Sequence, residues 1–381
     1  MIHWDHNAGS PLLPGVAERL GPWLSELWGN PGSVHATGRS ARARLDEART
    51  RVAASLSATS SRELVFTGSG SEAAALALVG AWLARSDRSR RKIVSTEIEH
   101  PCVQGALDRL AILGAEVLRV PPSANGAVDA DRVVRALDHD VFLCSVMWAN
   151  NETGVLQPIA PIAKACQDRG IVFHTDAVQA VGKIALGLDA VPIDLLSLSA
   201  HKLGGPAGVG VLYNRRAVDV AALTPGHQEN GRRGGTPSVA FALATAEALE
   251  HALANQVAYA RRLEPLRDRF EAEVSRRFGA IVNGAGAPRV PNTANVTFPG
   301  LDGEALLIAL DLDGIAASTG AACASGSLSP SQVLLAMGLE AARARSTLRF
   351  SLGPEATDDE VSTVLGALER HVDACRMGPT R

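Results

Sequence analysis

The chain has 381 residues, 46% of them hydrophobic, 20% charged and only 4% aromatic, and its formal charge at pH 7 is −3. That length predicts about two domains with enough apolar material for buried cores, and it excludes a disordered tail protein. The weak negative balance and the lack of a long Lys/Arg run argue against an electrostatic binder of nucleic acid or of a membrane surface. Chemistry on a small molecule is the better expectation.

The five cysteines, Cys102, Cys144, Cys166, Cys323 and Cys375, are scattered, with no C-x-x-C pair and no His cluster at zinc spacing. A disulfide scaffold or a structural metal site is therefore not expected. The start, Met1-Ile2-His3-Trp4-Asp5-His6, has neither the basic residues nor the apolar run of a signal peptide. The longest apolar stretch, Ala73 to Ala84, falls short of the roughly 20 residues that cross a bilayer. These features predict a soluble, cytoplasmic protein.

In chain order, the first clear element is a helix over Arg39–Ser57. Short apolar runs then alternate with stretches of helical period: strand Glu63–Phe66, helix Glu72–Arg85, strand Lys92–Ser95, helix Val103–Leu113, strand Glu116–Val120, helix Asp131–Leu137, strand Val141–Met147 and helix Ile159–Asp168. Strands Ile171–His174, Leu195–Leu198 and Val209–Tyr213 follow. Alternation of this kind predicts an α/β unit with a mostly parallel sheet, and the continuous apolar runs suit strands covered on both faces. A Gly-rich basic segment, Gly226 to Thr236, leads into a long helix over Ser238–Arg277 that links two domains. The remainder reads as a smaller α+β domain, with strands near Asn295–Phe298 and Thr347–Ser351 and helices near Gly303–Leu312, Pro330–Met337 and Asp358–Cys375.

Ligands of open parallel sheets sit beyond the carboxyl ends of the strands, and here those positions are rich in polar groups. They carry Thr67-Gly68-Ser69-Gly70-Ser71, Glu99-His100, Asn150-Asn151-Glu152, Asp176 with Gln179, and Ser199-Ala200-His201-Lys202. Any one of these alone reads equally well as a helix cap or a turn; together they point to one cleft. The first segment joins a strand to a helix, so its N–H groups suit a phosphate. It also satisfies G-x-G-x-x-A, which makes a nicotinamide or flavin dinucleotide site the first rival, but Glu97 and Glu99 lie too far along to serve as that site's ribose acid. Pyridoxal phosphate accounts for the whole set. It needs a Schiff-base lysine (Lys202), an acid for its pyridinium nitrogen (Asp176), a flat or proton-shuttling group at its ring (His100) and phosphate donors (Ser71, Ser199, His201, Thr236).

The chain resembles the cysteine desulfurases of the nitrogenase and iron–sulfur cluster assembly type, within the fold-type I, class V aminotransferase-like pyridoxal phosphate enzymes. Carrying the resemblance are Asp5-His6-Asn7-Ala8, Gly29-Asn30-Pro31, Glu97-Ile98-Glu99-His100-Pro101, Asn150-Asn151-Glu152-Thr153-Gly154, the run from His174 to Lys183, Ser199-Ala200-His201-Lys202 and Arg349-Phe350-Ser351-Leu352-Gly353. The most specific segment is Ser318 to Leu328, which is similar to the loop holding this group's catalytic cysteine.

The resemblance implies a large cofactor domain over residues 16–250 with a mostly parallel seven-stranded sheet. It further implies a small domain over 251–381 carrying the cysteine loop, and an N-terminal segment, 1–15, packed with the small domain. Lys202 would form the Schiff base, His100 stack on the ring with an acid–base role, and Asp176 pair with the pyridine nitrogen, with Asn151 and Gln179 near the ring and phenolic oxygen. Gly70, Ser71, Ser199 and His201 would hold the phosphate, joined by Thr236 from the other subunit of a homodimer. Arg349 and Asn151 would bind the substrate, Arg349 at its carboxylate, and Cys323 would be the nucleophile. The implied reaction converts L-cysteine to L-alanine with a persulfide on Cys323, the sulfur passing to an acceptor such as an iron–sulfur scaffold or a thiolation protein. The alternative within the same group of enzymes is a selenocysteine lyase or a cysteine-sulfinate desulfinase. Ser71 replaces a common threonine, Ala73-Ala74-Ala75 replaces usual polar residues, Gly234 replaces a serine, and Gly9-Ser10 replaces a threonine pair.

Overall fold

A computed structural model describes residues 1–215, 218–319 and 329–376. Its strands are β1 (Ile2–His3), β2 (Leu64–Thr67), β3 (Lys92–Thr96), β4 (Glu116–Val120), β5 (Val141–Ser145), β6 (Val172–Asp176), β7 (Leu195–Ser199), β8 (Gly210–Asn214), β9 (Ile281–Val282), β10 (Thr293–Thr297), β11 (Ile315–Ala316) and β12 (Thr347–Ser351). The helices are α1 (Pro14–Glu26), α2 (Ala36–Ser55), α3 (Gly70–Ala75), α4 (Ala81–Ala84), α5 (Pro101–Ile112), α6 (Ala130–Ala136), α7 (Ile159–Asp168), α8 (Val239–Phe278), α9 (Gly303–Leu312), α10 (Gln332–Ala336), α11 (Ala341–Arg345) and α12 (Asp358–His371). A π-helical stretch, Leu76–Gly80, joins α3 to α4 without a break.

The main sheet has seven strands in the order β2-β8-β7-β6-β5-β3-β4. From β4 to β7 every pair is parallel, whereas β8 runs antiparallel to both neighbours, β7 and β2. The strands β2, β7 and β8 are buried along their whole length, as continuous apolar runs require when both faces are covered. These seven strands lie within about two residues of the ranges expected from apolar patterning. The ends of β5 and β6 are each offset by two residues, β6 running on to Asp176 and β5 stopping at Ser145. Beyond it the chain leaves β3 but still follows β6, with Val146 N donating to His174 O and Trp148 N to Asp176 O.

Local signals start and stop the helices. Asp129, Ser238, Asp302 and Thr357 cap α6, α8, α9 and α12 by accepting from N–H groups of the first turn. Three acids fill the first turn of α12, and Gly279, at φ 64°, terminates α8 in the left-handed conformation.

A second core lies apart from the main one. In it Trp4 packs edge-on against Phe270 of α8 and Phe350 of β12, with centroids 5.2 and 6.3 Å away. Strand β1 pairs in parallel with β11, and Asp5 bridges to Ser351, so the first residues of the chain lie against its last third. Among the described residues, no helix is long and apolar enough to cross a membrane.

Candidate active site

The loops after β3, β5, β6 and β7 and the start of α3 surround a cleft of about 370 Å³, which the N-terminal residues Asn7 and Ala8 and the β12 residue Arg349 close from the other side. That volume lies in the range of small-molecule sites. Strand β6 ends on Asp176, whose Oδ1 accepts from Val178 N at 3.0 Å. Strand β7 ends on Ser199 and turns tightly through Ala200–Lys202, with Ser199 Oγ and His201 Nδ1 hydrogen-bonded at 2.8 Å. Lys202 Nζ donates to the carbonyls of Asn7 and Ala8, both at 2.6 Å. His100 caps α5, its Nδ1 accepting from Cys102 N at 3.2 Å and lying 2.9 Å from Cys102 Sγ.

The floor opposite the helix start is packed to the limit. A Cβ added to Gly70 would meet Ser199 Cβ at 2.9 Å and Val178 Cγ2 at 3.3 Å. Only a bare backbone lets α3 approach β7 this closely.

Burial dominates the electrostatics of the cleft. Burial pushes the Asp176 carboxyl above its usual range, while the charges of His100 and Lys202 pull it back. Burial likewise holds His201 down to about 4, helped by the Lys202 charge, so its ring is neutral near pH 7. Beneath the cleft Glu99 is pushed up to about 8 by burial; its Oε1 accepts from Met147 N and Thr96 Oγ1, both at 2.8 Å, and its Oε2 has no partner among the described residues. Arg349 donates through Nη2 to Asp5 at 2.7 Å and through Nη1 to Asn151 O at 3.1 Å. Its Nε, and the Asn151 Oδ1 beside it, are buried without partners among the described residues.

Lys202, His100, Asp176, Asn151, Gln179, Gly70, Ser71, Ser199, His201 and Arg349 all line this cleft. Thr236 does not: it is exposed, beyond the turn at Gln228–Gly231. Cys323 lies outside the described residues. Sequence reasoning missed the carbonyls of Asn7 and Ala8 as partners of Lys202 and the salt bridge from Asp5 to Arg349; Cys102, expected from its place at a helix start to pack on the core, does so and also lines the cleft. Asp5, Asn7 and Ala8 stand together in one quoted motif, but nothing local says which distant residues they meet.

Comparison with known proteins places the chain in a family. Residues 2–364 match the family model of the class-V aminotransferases. The chain is 39% identical to the cysteine desulfurase IscS of Dictyoglomus turgidum, over 98% of this chain and 95% of that protein. To the cysteine desulfurase NifS of Azotobacter vinelandii it is 40% identical, over 96% and 90%. Among solved structures, a NifS-like protein superposes with a TM-score of 0.90 at 32% identity, covering 98% of this chain and 99% of the other. A structure described as SspA in complex with cysteine gives 0.81 at 32% identity, covering 94% and 100%. The chain belongs to the class-V aminotransferase family and, within it, to the cysteine desulfurases of the IscS and NifS type.

Proposed function

We propose that this protein is a pyridoxal phosphate-dependent cysteine desulfurase that converts L-cysteine to L-alanine and takes the sulfur onto Cys323. The observation that carries the reading is the meeting, in one cleft, of an amine (Lys202), a buried carboxyl (Asp176), an imidazole (His100) and a guanidinium (Arg349). The cleft suits the cofactor on its own terms. Gly70 leaves room only for backbone at the start of the continuous helix 70–84, an anion cradle beside Ser71, Ser199 and His201. Asp176 is a buried carboxyl whose one hydrogen-bond donor among the described residues is Val178 N, which leaves it ready for a cationic ring nitrogen. Lys202 would hold the group covalently.

When bound, pyridoxal phosphate supplies an electron sink for bond breaking at the α- and β-carbons of an amino acid. The chain's own residues do the rest. Arg349 is the carboxylate anchor, its buried Nε having no partner among the described residues and so marking an unfilled donor. The Lys202 amine and the His100 imidazole carry protons at the reacting carbons. The Cys323 thiolate attacks the substrate sulfur: the substrate Cβ–S bond breaks, a bond from the Cys323 sulfur to that sulfur forms, and alanine leaves after Cβ takes a proton. Ser318, in the same loop motif, exchanges backbone hydrogen bonds with Arg349 (2.6 and 3.0 Å), which ties the start of that loop to the cleft wall.

The same reading makes the protein a homodimer, with the exposed Thr236 serving the partner's phosphate site, and gives the persulfide a sulfur-acceptor protein as its destination. It divides the chain at residues 15 and 250; the pairing of β1 with β11 and Trp4 in the second core support the packing of the N-terminal segment with the last third of the chain. The test is mass spectrometry after L-cysteine is added to protein loaded with pyridoxal phosphate. One extra sulfur atom on the peptide containing Cys323, together with released alanine, is the expected result. Cys323→Ala should keep the visible cofactor band and lose multiple turnover; full turnover in that variant would overturn the role of the thiol.

A further inference from the structure

Lys183 is a buried lysine, 6% exposed, behind the cleft wall. Both of its partners are neutral amides: Nζ donates to Asn7 Oδ1 and to Gln179 Oε1, each at 2.7 Å. Asparagine and glutamine amides are nearly symmetric in shape, and which end faces a site is set by their partners. Here the lysine removes the ambiguity. Because its N–H groups point at both amides, each must present its oxygen to Lys183 and its NH2 group elsewhere.

The NH2 groups that this arrangement turns outward lead to the reacting side chains. Gln179 Nε2 donates to Asn7 O at 2.9 Å, the same carbonyl that receives Lys202 Nζ, and its second N–H has no partner among the described residues of a side chain that lines the cleft. Asn7 Nδ2 donates to Thr293 Oγ1 at 2.9 Å and to Asn151 O at 3.2 Å, the carbonyl that also receives Arg349 Nη1.

We propose that Lys183 is a positioning residue that fixes the polarity of the Gln179 amide, so that Gln179 presents an N–H donor, and not a carbonyl, to the cofactor held by Lys202 and Asp176; the Asn7 amide is held the same way round by Asn292 as well, whose Nδ2 donates to Asn7 Oδ1 at 3.2 Å. The inference rests on the cofactor reading of the cleft given above. Burial, and then the charges of Lys202 and Arg349, push the Lys183 amine well below its usual range, and His6 is the other titratable group that feels its charge. Deprotonation does not undo the arrangement, because a neutral amine keeps two N–H groups for its two oxygens.

An N–H donor stabilises the anionic form of an oxygen that it faces. Removing Lys183 takes away the donor that holds Gln179 Oε1 and leaves the bond from Nε2 to Asn7 O as the amide's remaining hold among the described residues, so the N–H facing the cofactor is less firmly fixed; the pH at which the visible band of the cofactor-loaded protein changes should then rise. In Lys183→Met, which keeps the aliphatic stem and loses every N–H, this spectral pKa should move up by about 1 unit. Lys183→Arg, which retains donors, should stay nearer the parent protein. Gln179→Ala should raise the pKa too, and adding Lys183→Met to it should produce no further rise, because both act through one amide. If Lys183→Met does not fold, Lys183→Gln, which no longer forces both oxygens inward, carries the same expectation. A band that is present with an unmoved pKa, or additive shifts in the double variant, would overturn the positioning role alone. A parent protein that takes up no pyridoxal phosphate and shows no band would overturn the cofactor reading itself.

Discussion

Asp5 and Arg349, 344 positions apart, form an ion pair at 2.7 Å that joins the first turn of the chain to the middle of β12. The Arg349 side chain is 4% exposed and that of Asp5 is 19% exposed, so the guanidinium depends on this carboxylate for its charge balance before any substrate arrives. Removing one member of such a pair strands the other.

Asp5→Ala should therefore lower unfolding stability by about 3 kcal/mol in urea titrations, with Asp5→Asn closer to the parent. The KM for cysteine separates two roles of the pair. If Asp5 holds Arg349 in place, KM rises in Asp5→Asn; a fall would mean that the carboxylate competes with substrate. Arg349→Lys, which loses the planar fork, should raise KM by at least about tenfold.

Two glycine substitutions should have opposite signs. At Gly70 a new Cβ would meet Ser199 Cβ at 2.9 Å, so Gly70→Ala should lower stability by about 1–3 kcal/mol and weaken retention of pyridoxal phosphate in equilibrium dialysis. Nothing lies within 4 Å of the Cβ position at Gly105, inside α5. Gly105→Ala should stabilise the protein by roughly 0.8 kcal/mol, with no change in cofactor retention.

Opposing titrations shape the pH dependence of stability. Glu99 ionises near 4.5 when unfolded and at about 8 when folded, so its contribution is complete below pH 4.5 and is lost as pH rises toward 8. His174, held at about 3 by burial alone, and His6 and His201, each at about 4, behave the other way. Their contribution is complete above the unfolded value of 6.5 and is lost as pH falls toward 3 or 4. Glu99→Gln keeps an oxygen for Met147 N and Thr96 Oγ1, so urea midpoints measured from about pH 5 to about pH 8 should lose the alkaline decline and keep the acid one. An unchanged profile would show that Glu99 is not the group titrating in that window.

Glu229 is a further stability anchor. It sits at φ 51°, buried, and accepts from Arg49 Nη2 at 2.6 Å, from Arg49 Nη1 at 2.8 Å and from Phe66 N at 2.9 Å, which pins the Gly-rich segment to β2. Glu229→Ala leaves the buried Arg49 guanidinium without its carboxylate, only Leu64 O among the described residues still accepting from it at 3.0 Å, and strands a backbone N–H; a loss of about 3 kcal/mol in urea unfolding is expected. Replacing the neighbouring Asn230, at φ 58°, by glycine should be tolerated, because the left-handed conformation suits glycine.

Local chemistry made much of this molecule legible. Apolar runs bounded by polar ends mark strands such as β2, β7 and β8, because a strand covered on both faces has no polar side to show, and residues at or just beyond the strand ends, Asp176 and Lys202 among them, face the cleft. Helix α1 escaped notice because Gly15, Gly21 and Pro22 weaken its helical pattern. The two-residue strands β1, β9 and β11 are too short to have a period at all.

By itself, then, the sequence determined the order of the elements, the residue types at the strand ends and the motifs that carry the family resemblance, all of which depend on near neighbours along the chain. Only the tertiary structure decided that Asn7 O receives Lys202, that Asp5 balances Arg349, and that Lys183 is buried between two amides instead of solvated at a surface. Those pairings depend on which distant backbone segments the closed fold brings within about 3 Å, the reach of a hydrogen bond, and residue spacing does not encode that distance.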